Sequence, residues 1–278
     1  MKTENNFNIE QQSNEEERFI NEKITWLKYV YNQEARLNNL SGHGFGLRRP
    51  DYERRSDDAF EESQNINFPA STIFELNGTN YTFEVDKGVF NPEFFSISKR
   101  VAADFPYQEL KDKSILEFGP GIGAQMVLLG LNGAKKVVGI ESNTKSVENS
   151  QKNIKKYNLE DTVEIRKGNM FSSLKENEKF ASIYFHSPYF FKNEVNGDLN
   201  SALYDQDYEA LIRFIYLGKK YLEPEGNLLL LYSDTINMDL MSTIIKDADM
   251  TEEIIKRYKS KSRMEPLGFI FSKIYPNN

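Results

Sequence analysis

The stretch from Ser114 to Glu141 constrains the fold of this chain more than any other. An apolar run of strand character leads into a turn that contains Gly119, Gly121 and Gly123. An apolar helical segment and a second β-rich run follow, and the latter ends in Glu141. Glycines at a strand-to-helix turn let the backbone approach a ligand closely, and an acid about 20 residues later can bind a ribose hydroxyl. The stretch therefore predicts a nucleotide site in an α/β fold.

The glycine turn alone does not name the ligand. Gly119, Gly121 and Ala124 also satisfy the G-x-G-x-x-G/A fingerprint of dinucleotide-binding proteins. The acid just before the turn, Glu117, favours a different ligand. In a dinucleotide site its carboxylate would lie beside a pyrophosphate, whereas it can accept hydrogen bonds from a cationic amino-acid group. The sequence therefore favours S-adenosylmethionine over NAD, and a Rossmann oxidoreductase is a distant alternative.

Four features together resemble the class I S-adenosylmethionine-dependent methyltransferases. They are the E-x-G-x-G-x-G run from Glu117, the acidic strand end at Glu141, the later Asn169, and the tetrapeptide H-S-P-Y at residues 186–189. The resemblance covers roughly residues 85–234. It implies a Rossmann-like, seven-stranded, mostly parallel sheet with helices on both faces. It also implies an enzyme that moves the sulfonium methyl in line to a substrate nucleophile, with positioning supplying much of the acceleration.

The resemblance also implies how the cofactor is held. Glu117 and the glycine turn would bind the methionine part, Glu141 the ribose, and Asn169 with Met170 the adenine. Asp is more usual than Asn at position 169, and an Asn carbonyl still accepts hydrogen bonds. Phe90 lies in a V-F-x-P-like segment that either contacts the cofactor or anchors the chain on the core. The expected cofactor-binding residues are Glu117, Gly119, Pro120, Gly121, Gly123, Glu141, Ser142, Asn169, Met170 and Phe90.

The tetrapeptide is where the resemblance places the chemistry. Methyltransferases that act on amino groups usually have N-P-P-Y there, and this chain has His186 and Ser187 in the first two places. We therefore expect His186 and Tyr189 to be catalytic and Pro188 to contact the substrate. A histidine with a pKa near 6.5 can also act as a general base, which an aliphatic amine needs and an amide does not. The structural alternative is a core histidine whose hydrogen bonds are satisfied within the fold.

This reasoning favours a small-molecule substrate that is methylated on nitrogen, or on oxygen. Two alternatives stay open: N-methylation of a protein amide or an RNA base, and a cofactor-binding protein that has lost catalysis. The net charge of -7 makes nucleic acid an unlikely partner. The two histidines, His43 and His186, have no carboxylate partners at suitable spacing, so no metal is expected. The oligomeric state is not predicted.

The N-terminal part reads as an appendage to the main fold. A capping box of Ser13 and Glu16 begins a periodic segment that predicts a helix to about Leu40, either covering the core or forming part of a lid. Residues 42–58 are rich in glycine and charge and predict a loop. Substrate-binding loops often have this character. The candidate substrate-binding residues of this loop are His43, Arg48 and Arg49. The alternative for the two arginines is that they are solvated or paired with nearby Asp and Glu.

The rest of the chain predicts a division into three parts. Residues 1–71 form an N-terminal helix and loop, residues 72–110 a β-hairpin around Asn77 and Gly78 with a lead-in helix, and residues 111–278 the methyltransferase core. Within the core, residues 202–222 predict one long amphipathic helix. The chain has no cysteine and no apolar run of membrane-spanning length, so we expect a cytoplasmic protein with no membrane partner.

Overall fold

A computed structural model describes residues 14–30, 50–192, 202–259 and 268–277 of the chain. The helices are α1 (residues 14–30), α2 (Pro50–Gln64), α3 (Ile97–Asp104), α4 (Tyr107–Leu110), α5 (Ala124–Leu131), α6 (Thr144–Lys156), α7 (Glu209–Gly218) and α8 (Met238–Asp247), with 3-10 turns at Met170–Ser173 and Lys219–Tyr221. The strands are β1 (Ala70–Leu76), β2 (Thr79–Val85), β3 (Ser114–Phe118), β4 (Lys136–Glu141), β5 (Val163–Lys167), β6 (Phe180–His186), β7 (Phe190–Lys192), β8 (Tyr204–Gln206), β9 (Leu222–Ser233), β10 (Met250–Tyr258) and β11 (Phe269–Pro276).

A seven-stranded sheet organises the fold, with the strand order β10-β11-β9-β6-β3-β4-β5. Strand β11 is antiparallel to both of its neighbours, and the other neighbouring pairs are parallel. The chain leaves β3 toward β4 on one side and returns to β6 on the other. Ligands bind outside the carboxyl ends of the strands at such a switch point. The predicted seven-stranded Rossmann-like architecture is confirmed.

The sheet is covered on both faces, which explains its continuous apolar strands. In β9, Leu229 and Leu231 pack in the core on the side of the β1–β2 hairpin, α3 and α5. Leu228 and Leu230 pack in the opposite core with α1, α7 and α8. Because both faces are buried, alternation of apolar and polar residues is lost. None of the described helices has the length and apolar character that a membrane crossing requires.

The predicted hairpin forms and is fixed to the main sheet through α6. Asn77 and Gly78 have φ angles of 51° and 77°, as a tight two-residue turn requires. Two buried amides of α6 bind the backbone of β2: the Asp86 N–H donates to Asn149 Oδ1 at 3.0 Å and the Glu84 N–H to Asn153 Oδ1 at 2.9 Å. Asn153 also donates to the Ile122 carbonyl at 2.9 Å. One side chain thus connects the hairpin to the glycine turn.

Helix α1 packs on the face of the sheet that α7 and α8 cover. Ile20, Ile24 and Leu27 are buried in that core, and Lys23 pairs with Asp247 of α8. Among the described residues, none from α1 lines the cavity described below. The predicted continuation of this helix to residue 40, and the loop at 42–49, lie outside the described residues. The lid and the three-part division therefore stay predictions.

Part of the segment predicted as a loop is helical instead. Helix α2 begins at Pro50, so residues 50–58 are not the loop that their charge suggested. The buried positions Glu53, Ser56, Ala59 and Phe60 recur at helical spacing. This helical period is hard to recognise in the sequence because two of these four buried residues are polar. Asp57 accepts a hydrogen bond from the Tyr204 hydroxyl at 2.6 Å, which ties α2 to β8.

The single long helix predicted over residues 202–222 is also wrong in its first part. Residues 204–206 form β8, which pairs in parallel with β7, and α7 starts only at Glu209. Asp205 caps α7, because its carboxylate accepts the N–H groups of Ala210 and Leu211 at 2.9 and 3.0 Å. Tyr208 has a φ of 56°, which interrupts helical geometry between the two elements.

Candidate functional site

The glycine turn between β3 and α5 presents bare backbone to a cavity. Gly119 and Gly121 have φ angles of 63° and 58°, and a Cβ at either position would meet no atom within 4 Å. Gly123 is different, because its Cβ would lie 2.9 Å from Ser150 Oγ of α6. The first two glycines therefore line open space. The third allows α5 and α6 to pack closely and does not line the cavity.

Two buried carboxylates flank this turn at the ends of β3 and β4. Glu141 is tied to the turn, since its Oε2 accepts the Gly121 N–H at 3.1 Å and its Oε1 accepts the Asn143 N–H at 2.8 Å. Glu117 is 4% exposed, and its Oε2 has no hydrogen-bond partner within the described part of the chain. A buried carboxylate oxygen without a partner is costly. This oxygen needs a donor that a ligand can supply.

Burial perturbs the ionisation of both carboxylates. Loss of solvation, together with the smaller effect of the nearby Glu141, raises the pKa of Glu117 to about 8. Burial also raises the pKa of Glu141, although the backbone N–H groups of Asn143 and Gly121 oppose the shift. A positive group placed beside Glu117 would reverse its shift. The site is therefore electrostatically suited to a cation.

The end of β5 contributes a third side to the cavity. Asn169 and Met170 both line it, together with Ser142 from the end of β4. Met170 is buried and has a φ of 46°, which is uncommon for a residue with a side chain. The Asn169 N–H donates to Ser172 Oγ at 3.0 Å, and the Ser172 N–H donates to the Asn169 carbonyl at 3.1 Å. These bonds fix the turn in which both residues lie.

The H-S-P-Y tetrapeptide lies across the same cavity at the carboxyl end of β6. His186 is partly exposed to the cavity, but its Nε2 atom is buried and has no partner among the described residues. Burial lowers the pKa of His186 to about 4. The imidazole is therefore neutral near pH 7 and offers one hydrogen-bond donor and one acceptor. The Tyr189 ring packs 5.5 Å from the His186 ring.

The structure brings most of the predicted site residues into one cavity. Phe90 lines it and stacks on Phe60 of α2 with ring centroids 6.2 Å apart. The predicted substrate contacts His43, Arg48 and Arg49 lie outside the described residues. The predicted residues that line the cavity are Phe90, Glu117, Gly119, Pro120, Gly121, Glu141, Ser142, Asn169, Met170, His186, Pro188 and Tyr189.

Several lining residues were not predicted from the sequence. Gln125 is a lone polar residue in the apolar helix α5, and it donates to the Tyr107 hydroxyl at 3.1 Å. Asn143, two residues after Glu141, caps α6. Both could have been found from their positions beside the predicted motif. Phe74, Ala202 and Ala210 reach the cavity only through the tertiary fold, and no local pattern marks them.

Comparison with known proteins identifies the family. The model of the methyltransferase small domain family matches residues 80–259, which is more than half of the 278-residue chain. The protein belongs to this family. It is an S-adenosylmethionine-dependent methyltransferase of class I, as the resemblance of its sequence motifs implied. The unpartnered, buried Glu117 oxygen fits this cofactor, because S-adenosylmethionine carries an ammonium group.

Several known proteins are similar to this methyltransferase in sequence or in fold. A protein of Methanocaldococcus jannaschii, named provisionally as a protein N5-glutamine methyltransferase, is 29% identical over 156 residues, 54% of this chain and 77% of the relative. A T. thermophilus 16S ribosomal RNA methyltransferase, solved with S-adenosylmethionine and guanosine, has a TM-score of 0.54 at 18% identity, covering 75% of this chain and 50% of that one. An M. jannaschii tRNA methyltransferase has a TM-score of 0.51 at 17% identity, covering 76% and 58%.

These comparisons contradict the expectation of a small-molecule substrate with nucleic acid as an unlikely partner. The relatives are named for a protein glutamine and for RNA. The structure also removes the physical argument on which the small-molecule expectation rested. The methyltransferase was expected to use His186 as a base for a protonated amine, whose pKa is about 10. An imidazole with a pKa of about 4 is too weak a base for that proton.

Proposed function

We propose that this methyltransferase transfers the methyl group of S-adenosylmethionine to the side-chain amide nitrogen of a glutamine in a protein. The observation that carries the proposal is the neutral His186, which lines the same cavity as the glycine turn and whose Nε2 has no partner among the described residues. An amide arrives uncharged and offers N–H donors, so it needs an acceptor and no strong base. The name of the Methanocaldococcus jannaschii relative supports the same substrate class.

The cofactor would be held by the residues around the glycine turn. The ammonium would donate to Glu117, and the methionine part would lie along the backbone at Gly119, Pro120 and Gly121. Glu141 already accepts two backbone N–H groups, and each carboxylate oxygen has a further lone pair for a ribose hydroxyl. The adenine would lie between the turn at Asn169 and Met170 and the side chains of Ser142 and Phe90. Gly123 would act indirectly, by letting α5 and α6 pack.

The acceptor amide would lie between the tetrapeptide and the sulfonium. His186 would accept one amide N–H, and the Pro188 and Tyr189 side chains would hold the planar amide group. S-adenosylmethionine would supply an electrophilic methyl group, whose transfer to the amide nitrogen would break the carbon–sulfur bond and leave a neutral thioether. The methylated amide must then lose one proton. The amide that has gained a methyl group and still carries both of its protons is a cation and a far stronger acid than an imidazolium, so even a weakly basic His186 could receive this proton and pass it to water.

An RNA base amine has similar donor geometry, so RNA is the second candidate substrate. Glu117 and Glu141 are the charged residues among those that line the described cavity, and no lysine or arginine does so. RNA binding relies on lysine and arginine contacts with phosphates. A protein acceptor therefore fits the cavity better.

The test uses methyl-labelled S-adenosylmethionine and separated protein, RNA and small-molecule fractions of a cell extract. We expect the label in protein, and we expect acid hydrolysis to release it as volatile methylamine, because hydrolysis cleaves the methylated amide. Label that stays on the amino acid after hydrolysis would mean that another side chain is methylated. Label in RNA or in small molecules would refute the proposal directly.

The proposed role of Glu117 predicts how cofactor affinity depends on pH. In the free protein its pKa is raised to about 8, so the carboxyl group is protonated below that pH. The cofactor ammonium favours the carboxylate, so binding releases a proton and affinity rises with pH. Between pH 6 and 7.5 we expect a gain of up to about 30-fold, measured by titration calorimetry. In Glu117→Gln the affinity is expected to be lower and independent of pH in this range.

The same group makes folding stability depend on pH with the opposite sign. The folded protein binds the Glu117 proton more tightly than the unfolded chain, whose carboxyl group has the ordinary pKa of 4.5. The contribution of Glu117 to the stability of the cofactor-free protein should therefore fall as pH rises from about 4.5 to about 8. Glu117→Gln should reduce this slope. An unchanged slope would mean that Glu117 ionises normally in the fold.

A further inference from the structure

The tetrapeptide is attached to the end of β9 at two points. The Ser187 N–H donates to the Leu231 carbonyl at 2.9 Å, which continues the β6–β9 ladder by one residue. The Tyr189 carbonyl lies 2.6 Å from the Ser233 hydroxyl and 2.6 Å from the Thr235 hydroxyl. Ser233 ends β9, and Thr235 lies in the turn that follows. Both hydroxyl residues are buried, and neither lines the cavity.

The protons available determine how these hydroxyls are arranged. Ser233 Oγ and Thr235 Oγ1 lie 2.5 Å apart, a distance that itself requires a hydrogen bond. Each hydroxyl has one proton. One hydroxyl must therefore donate to the other, and the second must donate to the Tyr189 carbonyl. If either residue is lost, the remaining hydroxyl can still donate to that carbonyl directly.

The Tyr189 peptide in turn fixes the ring that faces the acceptor. Its N–H donates to the Leu203 carbonyl at 2.9 Å, so hydrogen bonds hold the residue from both sides of its α-carbon. The ring packs against Phe269, with centroids 5.0 Å apart, and against His186 at 5.5 Å. A change in the Tyr189 carbonyl would therefore move the ring relative to His186.

We propose that Ser233 and Thr235 are a positioning pair, whose linked hydroxyls hold the Tyr189 peptide so that Tyr189 and His186 together face the acceptor nitrogen. The inference rests on the proposed function, because that function places the acceptor nitrogen beside Tyr189 and His186. The pair acts through Tyr189 and does not touch the cofactor or the acceptor. Sequence alone gives no sign of it, since Ser233 and Thr235 are more than 40 residues from Tyr189 along the chain.

The test compares Ser233→Ala, Thr235→Val, Thr235→Ser and the double variant Ser233→Ala/Thr235→Val. Ser182→Ala is the matched control, because Ser182 is a buried hydroxyl residue that joins the same two strands at their other end, 3.0 Å from Asn227 Oδ1. We expect methyl transfer into the protein fraction to fall about twofold in Ser233→Ala and Thr235→Val, and at least about tenfold in the double variant. Thr235→Ser keeps the hydroxyl and should behave as wild type.

A second measurement does not depend on the acceptor. The chain contains two histidines, so protein labelled with ¹³C at the histidine ε1 carbon gives two NMR signals. The Tyr189 ring current acts on His186, and the double variant should therefore shift the His186 signal while Ser182→Ala leaves it in place. A double variant that matches Ser182→Ala in both signal and methyl transfer would overturn the positioning pair. If wild-type protein labels no protein fraction while the signal shifts, the proposed function fails and the pair stands.

Discussion

Replacing His186 by alanine is expected to lower methyl transfer about a hundredfold while leaving the affinity for S-adenosylmethionine unchanged. The variant loses the acceptor that would orient the amide nitrogen, and misplacement of a reacting atom by about 1 Å costs on this order. His186, the carboxylates and the glycine turn line one cavity, and in the proposed arrangement His186 would contact the acceptor while the others would hold the cofactor. The two effects are separated by measuring labelled methyl incorporation and, independently, calorimetric binding of S-adenosylhomocysteine.

His186→Asn is the matched variant for this prediction. An asparagine carbonyl also accepts an amide N–H, and asparagine is the usual first residue of the family tetrapeptide. We expect this variant to retain activity within about tenfold of wild type. If His186→Asn is as inactive as His186→Ala, a basic nitrogen is required and the acceptor role is wrong. If His186→Ala is fully active, His186 has no part in the chemistry.

Replacing Gly121 by valine is expected to weaken S-adenosylmethionine binding by about two orders of magnitude. Gly121 has a φ of 58°, and valine avoids that conformation, so the turn would relax away from the cofactor. The added methyl groups would also occupy the open space that Gly121 lines. The Gly121 N–H holds Glu141 Oε2, so the change would displace this carboxylate as well. Binding is measured by titration calorimetry.

Gly78→Val is a close control for the effect of backbone strain. Gly78 has a φ of 77°, and its Cβ also would meet nothing within 4 Å, but it lies in the hairpin turn and does not line the cavity. Both variants should lose about 1–2 kcal/mol of stability, measured by denaturant unfolding. Cofactor binding should fall in Gly121→Val alone. Equal losses of affinity would mean that the turn acts only through stability.

The fold and the glycine turn that lines the cavity were predictable because local chemistry determines them. A turn with glycines at 119 and 121 requires positive φ angles that other residues avoid, and an acid must follow at the end of the next strand. The hairpin was predictable for the same reason, since Asn77 and Gly78 specify its turn. These signals lie within short stretches of sequence. They need no knowledge of distant contacts.

The acceptor side was harder to predict because burial decides its chemistry. The sequence suggested that His186 could be a base with an ordinary pKa, but the fold removes its solvation and lowers the pKa to about 4. The substrate expectation that rested on this base was wrong. Residues 50–58 were predicted as a loop because their buried period includes the polar residues Glu53 and Ser56. Both errors concern polar residues that tertiary contacts bury.

The charge state of His186 is the central claim of this account, and one NMR titration measures it. In protein labelled with ¹³C at the histidine ε1 carbon, the signal that disappears in His186→Asn belongs to this residue. We expect its chemical shift to remain that of neutral imidazole down to about pH 5 and to titrate with a pKa of about 4. A pKa near the ordinary 6.5 or above would contradict the account, because His186 could then act as a base for a charged amine.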